Sequence, residues 1–210
     1  YVVTANDPLY EYQWHLNNAG DANSKNFSGS AGTSGADINI DGVISDGYTG
    51  TGVIIGILDT GLELLHEDLS ANVVSGGSWD YVSSDNDPTN PATDGDHGTS
   101  VAGLAAASGW NGKGGRGVAP SASLKGFNVL RGWSTANTLA AHGGASYAED
   151  VDIFNQSYGQ NSLGDFLINS SEEAGFVDGV TNLRSNKGAI YVKSAGNGYQ
   201  GIYIGDDWHA

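Results

Sequence analysis

Cysteine and methionine are both missing from this chain of 210 residues. The lack of cysteine excludes disulfide bonds, thiolate nucleophiles and thiolate metal ligands. No apolar run approaches the ~20 residues that a membrane-spanning helix needs, so we expect no membrane partner. Because the chain begins at Tyr1 and has no Met, we expect its start to be a processing product of a secreted protein.

Basic residues are scarce. The chain has 8 Lys and Arg against 24 Asp and Glu, which gives a net charge of -16. Proteins that bind nucleic acid present basic surfaces, so nucleic acid is not expected as a partner. The acidic balance suits a soluble secreted protein, a cationic substrate or bound metal cations, and solubility alone would account for it. The 33 glycines predict long loops and frequent tight turns.

Apolar segments rich in β-branched residues alternate with segments of helical composition. The predicted strands are Val53–Leu58, Leu124–Leu130, Val151–Asn155 and Ala189–Lys193. The predicted helices are Thr99–Ser108, Thr135–Ala148 and Ser171–Asn186. Continuous apolar strands that alternate with helices indicate an α/β fold, with a parallel sheet covered on both faces. At this length a single domain is the simplest organisation.

The first predicted strand runs into the motif ILDTG, so it ends at Asp59. An aspartate that ends a strand is most often a turn residue, because its side chain binds nearby backbone N–H groups. Two functional interpretations are also open. Asp-Thr-Gly is the signature of aspartic proteases, which need two such carboxylates, and this chain has one such triplet. Open α/β sheets also carry active-site residues at the ends of parallel strands.

Two further segments carry candidate side chains. His97, in DHGTSVAG, precedes a helical segment of small residues. A histidine in a glycine-rich turn is more often a surface residue, but a helix N-terminus favours the neutral imidazole that a general base requires. Asn197, in SAGNG, follows the last predicted strand. It is either a turn residue or an amide donor for an oxyanion.

The three motifs occur in the order Asp, then His, that subtilisin uses for its catalytic triad. ILDTG, DHGTSVAG and SAGNG resemble the successive active-site blocks of subtilisin-like serine proteases. NDPLYEYQWHLNN, GSWDY and NQSYGQ resemble the kexin and furin branch of that family. The resemblance extends from about residue 6 to 198. It implies a three-layer fold with a mostly parallel sheet, and residues 1–210 would form the N-terminal part of one catalytic domain.

The resemblance also implies roles for individual residues. Asp59 would orient the histidine, His97 would be the general base and Asn197 would donate to the oxyanion. The segment Ser157, Tyr158 and Gly159 would pair with an extended protein or peptide substrate, and Asp94 would contribute to substrate binding. The nucleophilic serine of the family is expected beyond residue 210, on a C-terminal part that completes the domain. A non-catalytic calcium-binding homologue is the alternative.

Calcium is the cofactor that the resemblance implies, since Ca²⁺ binds six to eight carboxylate, amide and carbonyl oxygens. The side-chain ligands would be Asp7, Asp68 and Asn111. The backbone ligands would be Ser108, Lys113 and Gly115. The acidic residues of a second calcium site would be Asp80, Asp85 and Asp87, although a solvated surface loop is the alternative there.

The sequence departs from the kexin and furin branch where substrate specificity is set. Convertases that cleave after paired basic residues carry an acid at the position of Thr60. Their acids after the Ser-Tyr-Gly segment are replaced here by Gln160, Asn161 and Ser162. Asp94, Asp206 and Asp207 remain available to bind basic side chains, so the expected preference for Arg or Lys depends on them.

Overall fold

The computed structural model describes residues 7–20, 32–90, 96–159 and 169–196. The chain divides into two compact units. The first unit contains Tyr1–Gly52, Leu65–Val73 and Ala102–Ser123. The second unit contains Val53–Leu64, Val74–Val101 and Leu124–Ala210. The interpretation of the whole chain as part of one catalytic domain stays a prediction.

A four-stranded sheet forms the centre of the second unit, with strand order β2-β1-β3-β4. The strands are β1 (Ile54–Leu58), β2 (Ser123–Phe127), β3 (Ile153–Gln156) and β4 (Ile190–Lys193). β1 pairs with β3 and β3 with β4 in parallel, and Leu58, Gln156 and Lys193 lie side by side at their carboxyl ends. The predicted parallel α/β sheet is confirmed. β2 ends at Phe127 rather than Leu130, because a turn follows in which the Arg131 N–H donates to the Asn128 carbonyl.

The described residues form four α-helices: α1 (Asp41–Ser45), α2 (His97–Ala106), α3 (Thr135–Leu139) and α4 (Ser170–Asn186). A short 3-10 helix covers Tyr10–Tyr12. None of the helices in the described ranges is both long and apolar enough to cross a membrane. In α2, Ala102 and Ala106 are fully buried whereas Leu104 is exposed, so its small residues form the inward face.

The two later helices depart from regular helical geometry near their C-terminal ends, and in α4 the φ and ψ angles of Leu183, Arg184 and Ser185 are non-helical. α3 continues into a π-helical turn, Ala140–Gly144, and stops before the predicted end at Ala148. Gly143 has a φ of 105°, which lies in the left-handed region and cannot continue a right-handed helix. α4 begins with a capping box, in which Asn169 and Glu172 satisfy each other's backbone N–H groups.

Aromatic rings fill the core of the second unit. Phe154 of β3 is fully buried and stacks on Tyr191 of β4, with ring centroids 4.9 Å apart and planes 8° apart. Alternate residues of β4 point the other way: Ile190 and Val192 are 53% and 47% exposed. β4 is the last strand of the sheet that the described residues form.

One titratable side chain, His142, is buried among these rings. It lies in the π-helical turn, and its Nδ1 is 2.5 Å from the Thr138 carbonyl oxygen. The rings of Phe154, Phe176 and Tyr191 surround it, with centroids 5.0 to 6.2 Å away. Burial lowers the pKa of His142, because charging the imidazole in this apolar environment is unfavourable.

We expect this buried histidine to make the fold less stable in mild acid. The unfolded chain has an ordinary histidine pKa of about 6.5, so below that pH it binds a proton that folded His142 does not. The free energy of unfolding should therefore fall as the pH drops from about 7 to about 5. His142→Phe should reduce this loss, measured by urea denaturation at each pH. If the free energy of unfolding falls as much in the variant as in the wild type, His142 is not the cause of the acid sensitivity. A residual slope from His15 is expected, because burial lowers its pKa too.

Candidate active site

Asp59 follows the last residue of β1 and is fully buried. Its backbone N–H donates to the Phe127 carbonyl at 3.0 Å, which extends the β1–β2 pairing by one residue. Its side-chain Oδ1 accepts the Thr60 N–H at 2.7 Å. The other oxygen, Oδ2, has no hydrogen-bond partner among the described residues. Asp59 is therefore held rigidly by the end of the sheet.

His97 is the first residue of α2, and its Nδ1 lies 2.7 Å from Asp59 Oδ1. The side chain of His97 is 58% exposed, in contrast to that of its partner. A carboxylate only accepts hydrogen bonds, so Nδ1 carries the proton and Nε2 of a neutral imidazole is left as an acceptor. The arrangement can take up a proton at Nε2 and stabilise the resulting positive charge with Asp59.

The backbone brings these two side chains together through direct contact between α2 and the turn after β1. The Gly98 N–H donates to Thr60 Oγ1 at 3.2 Å, and Thr99 Oγ1 accepts the Glu63 N–H at 3.0 Å. A Cβ at Gly98 would overlap the Gly61 carbonyl oxygen and lie 2.9 Å from Asp59 Cβ. Only glycine permits this approach. Sequence reasoning gave Thr60 and Gly98 no structural role, although both stand inside the quoted motifs.

The predicted substrate-binding segment lies at the same edge of the sheet as Asp59. Ser157 follows β3 as Asp59 follows β1, and these strands are in parallel register. Tyr158 is half-buried, its carbonyl oxygen accepts from Ser194 Oγ at 3.3 Å, and its ring packs edge-on against Trp133. Burial and then the charge of Asp59 raise the pKa of Tyr158, so its phenol stays protonated. Gly159 is exposed.

Several predicted residues lie outside the described ranges. They are Asp94, Gln160, Asn161, Ser162, Asn197, Asp206 and Asp207. Their roles stay predictions.

The predicted calcium ligands of the first unit are brought together. Asp7 and Asp68 are buried, and Asn111 joins them. The Asn111 backbone N–H donates to Asp7 Oδ1 at 3.1 Å, and its side-chain Nδ2 donates to Asp68 Oδ1 at 2.7 Å. The Trp110 N–H donates to Asp7 Oδ2 at 3.0 Å. We name Asp7, Asp68 and Asn111 the Asp7 cluster.

The predicted backbone ligands lie around the Asp7 cluster. The Ser108 N–H donates to the Asp68 carbonyl, and the Lys113 N–H donates to Asn111 Oδ1. Gly115 lies against the side-chain amide of Gln13. The carboxylate and carbonyl oxygens are hard ligands that fit calcium chemistry, whereas the Asn111 amide directs its Nδ2 towards Asp68 and its Oδ1 towards the Lys113 N–H. In the described part of the chain, no three His, Asp or Glu side chains converge as a metal site, so amide and carbonyl oxygens would have to supply most ligands.

The acidic loop of the second unit uses its carboxylates to form turns. Asp80 Oδ1 accepts the N–H groups of Val82 and Ser83, and hydrogen bonds outweigh burial in lowering the pKa of Asp80. Asp85 and Asp87 each accept a backbone N–H two residues later. These turns fit a solvated loop, and a second calcium site there stays a prediction.

Comparison with known proteins decides the family. The family model described as the Subtilase family matches residues 50–206. The chain belongs to the subtilase family. An extracellular serine protease of Aeromonas sobria is 37% identical over 204 residues, which cover 95% of this chain and 32% of that protein. Kexin of Saccharomyces cerevisiae is 39% identical, with 93% of this chain and 23% of kexin covered. Neuroendocrine convertase 2 of Sus scrofa is 35% identical, with 93% and 30% covered.

Solved structures agree with this placement. The serine protease of Aeromonas sobria in complex with its chaperone matches the subtilase chain with a TM-score of 0.82 and 36% identity, over 93% of this chain and 32% of that one. A protease from Pseudoalteromonas arctica gives a TM-score of 0.67 and 26% identity, over 93% and 60%. The resemblance to subtilisin-like proteases of the kexin branch and the predicted fold are confirmed. The chain spans about a third or less of the curated relatives named here.

The close approach at Gly98 can be tested by adding one methyl group. In the full-length subtilase, Gly98→Ala should force α2 away from the turn after β1 and lengthen the Asp59–His97 contact. A displacement of about 1 Å at a catalytic group can cost about 100-fold in rate, so we expect kcat/KM for peptide hydrolysis to fall by at least that much.

Gly103→Ala in the same helix is the matched control, because a Cβ at Gly103 meets no atom within 4 Å. It should keep wild-type activity and gain some stability from the better helix propensity of alanine. Equal activities in the two variants would show that the contact at Gly98 does not position His97.

Proposed function

We propose that the protein is a serine endopeptidase that hydrolyses peptide bonds with an Asp-His-Ser triad. The observation that carries this proposal is the 2.7 Å hydrogen bond between buried Asp59 and exposed His97 at the carboxyl edge of the parallel sheet. Membership of the subtilase family supports the reaction class. The triad assignment is ours.

In this proposal Nε2 of His97 takes the proton from a serine hydroxyl supplied from beyond residue 210, and later returns it to the leaving amine. Asp59 keeps the Nδ1 proton in place and stabilises the imidazolium that forms, without taking the proton itself. Asn197 donates its amide N–H to the oxygen that becomes negative. Loss of such a donor costs about 3–4 kcal/mol of transition-state stabilisation.

We assign substrate binding to the segment that follows the carboxyl end of β3. An extended peptide would pair with Ser157, Tyr158 and Gly159 as an added strand. Backbone hydrogen bonds would then provide affinity, and the peptide side chains would provide specificity.

Strand β4 is partly exposed through Ile190 and Val192. We propose that these side chains pack against the remainder of the catalytic domain, which is the partner that completes the fold. The chain spans about a third or less of the curated relatives, and we propose that this partner belongs to the same polypeptide.

We further propose that the protein prefers substrates with basic residues and that it is secreted. A net charge of -16 favours cationic peptides, and kexin and neuroendocrine convertase 2 are among the relatives. Thr60, which replaces the second acid, uses its hydroxyl to accept the Gly98 N–H, so it serves the backbone rather than the substrate. Secretion is supported by the Aeromonas relative, which is described as extracellular.

We also propose that the Asp7 cluster holds a calcium ion, with Asp7, Asp68 and the Asn111 amide oxygen as side-chain ligands. Bound calcium would supply positive charge to two buried carboxylates that come from distant parts of the sequence. Asp7, Asp68 and the loop around Asn111 lie within the first unit, so the ion would stabilise that unit rather than take part in the reaction.

The triad assignment predicts a large loss of rate without loss of fold. In the full-length protein, Asp59→Asn should lower kcat by on the order of 10⁴, because the amide would hold His97 in the wrong tautomer. Circular dichroism should remain that of the wild type. Asp46→Asn, at an exposed aspartate, should change neither quantity and serves as the control. Peptide cleavage by Asp59→Asn at a near wild-type rate would exclude the triad.

The calcium assignment predicts that chelation destabilises the protein. EDTA should lower the melting temperature and speed autolysis of the full-length enzyme, since a ligand at 100 times its Kd adds about 2.7 kcal/mol to the stability. Asp68→Asn should remove most of this difference, whereas Asp46→Asn should keep it. If EDTA leaves the wild-type melting temperature and autolysis unchanged, the calcium assignment is wrong.

A further inference from the structure

A buried arginine accompanies the Asp7 cluster. Arg116 directly follows the predicted calcium loop and is almost fully buried. The Gln13 side chain holds its backbone in both directions: Oε1 accepts the Arg116 N–H at 2.9 Å, and Nε2 donates to the Arg116 carbonyl at 2.8 Å. The backbone of Arg116 is therefore held in place independently of the contacts that its side chain makes.

The guanidinium group of Arg116 lies between two aromatic rings. Its Cζ is 4.0 Å from the centroid of Tyr10 and 4.8 Å from that of Trp110, within the range of cation–π contacts. Its Nε is 3.1 Å from Asp7 Oδ2. In the described part of the chain neither Nε nor Nη2 makes a hydrogen bond, so the contact between Arg116 and Asp7 is an ion pair. A buried cation needs a counter-charge, and Asp7 is the carboxylate that provides it.

The Asp7 carboxylate is engaged by backbone N–H groups as well as by the guanidinium charge. A carboxylate has about four acceptor positions. Two of them on Asp7 receive the N–H groups of Trp110 and Asn111, and the Arg116 guanidinium adds its positive charge 3.1 Å from Oδ2. Trp110 has a φ of 57°, a left-handed conformation that is unusual for a bulky residue. Asp7 therefore meets a second cation with two acceptor positions occupied and its charge already paired with Arg116.

The arginine also changes the charge that a calcium ion would meet. Asp7 and Asp68 contribute two negative charges, and Arg116 beside Asp7 cancels one of them. Calcium affinity rises with the number of charged ligands, so this cluster should bind calcium more weakly than two free carboxylates would. When no calcium is bound, the positive charge of Arg116 partly compensates the negative charges of the buried carboxylates.

We propose that Arg116 is a resident cation of the Asp7 cluster, which weakens calcium binding and stabilises the first unit when calcium is absent. The inference rests on the proposed calcium role of the cluster. Arg116 is not a ligand in this proposal. It is a positioning residue that shares the Asp7 carboxylate with the ion.

The test is to remove the charge while keeping the packing. Arg116→Met retains an unbranched apolar side chain between Tyr10 and Trp110, and Arg116→Gln retains hydrogen-bonding capacity. Lys187→Met removes one positive charge from an exposed position of the second unit and is the control for net charge. Calcium titrations by calorimetry would use the full-length protein, treated with EDTA and blocked with a covalent serine-protease inhibitor.

We expect Arg116→Met to bind calcium about 10-fold or more tightly than the wild type, because a repelling charge next to the ligand is gone. Its melting temperature in EDTA should be lower than that of the wild type, and its gain on adding calcium should be larger. Lys187→Met should match the wild type in both measurements. Adding Asp68→Asn to Arg116→Met should abolish the tight binding and thereby assign it to this cluster.

The remaining outcomes separate the inference from the proposed calcium role. Calcium binding that Asp68→Asn removes, with an affinity that is equal or weaker in both neutral Arg116 variants, would overturn the role of Arg116 and keep the calcium site. Absence of calcium binding in every variant would overturn both. A neutral variant that folds only with calcium present would support the inference, since the ion would replace the missing charge. Failure of both neutral variants to fold even in calcium would overturn it.

Discussion

His97 reaches Asp59 because two backbones meet at Gly98 with no side chain between them. The Gly98 N–H binds Thr60, and its Cα lies against the Gly61 carbonyl. The His97 imidazole and a buried carboxylate that are 38 residues apart in sequence are thereby held at 2.7 Å. The parallel register of β1, β3 and β4 brings the proposed substrate-binding segment to the same edge, so the start of α2 decides whether these groups form a site.

Much of this arrangement could be predicted from the sequence. Continuous apolar runs predicted the parallel sheet, and the Asp59 and His97 motifs predicted which strand end and which helix start matter. The failures are local. β2 was predicted to continue to Leu130, but the backbone turns after Phe127. α3 was predicted to reach Ala148, but Gly143 ends the π-helical turn. Apolar composition continues through both places, and it carries little information about where a backbone changes direction.

The role of Thr60 was also missed, for a different reason. In convertases that cleave after paired basic residues, an acidic residue occupies the position of Thr60, and we expected that position to contact the substrate. In the structure its hydroxyl instead accepts a helix N–H, a task that depends on the three-dimensional approach of α2. Arg116 is a similar case. Nothing in the loop sequence indicates that its side chain turns inward between Tyr10 and Trp110, because long cationic side chains are usually exposed.

The exposed side of β4 has a consequence for handling the protein. Ile190 and Val192 alternate along a strand that has no neighbour on one side among the described residues, and nearby α4 exposes Val177 and Val180. Open strand edges with apolar side chains recruit other strands, which is how edge-to-edge aggregation begins. These 210 residues expressed without a covering segment would therefore tend to self-associate, and refolding would favour dilute conditions.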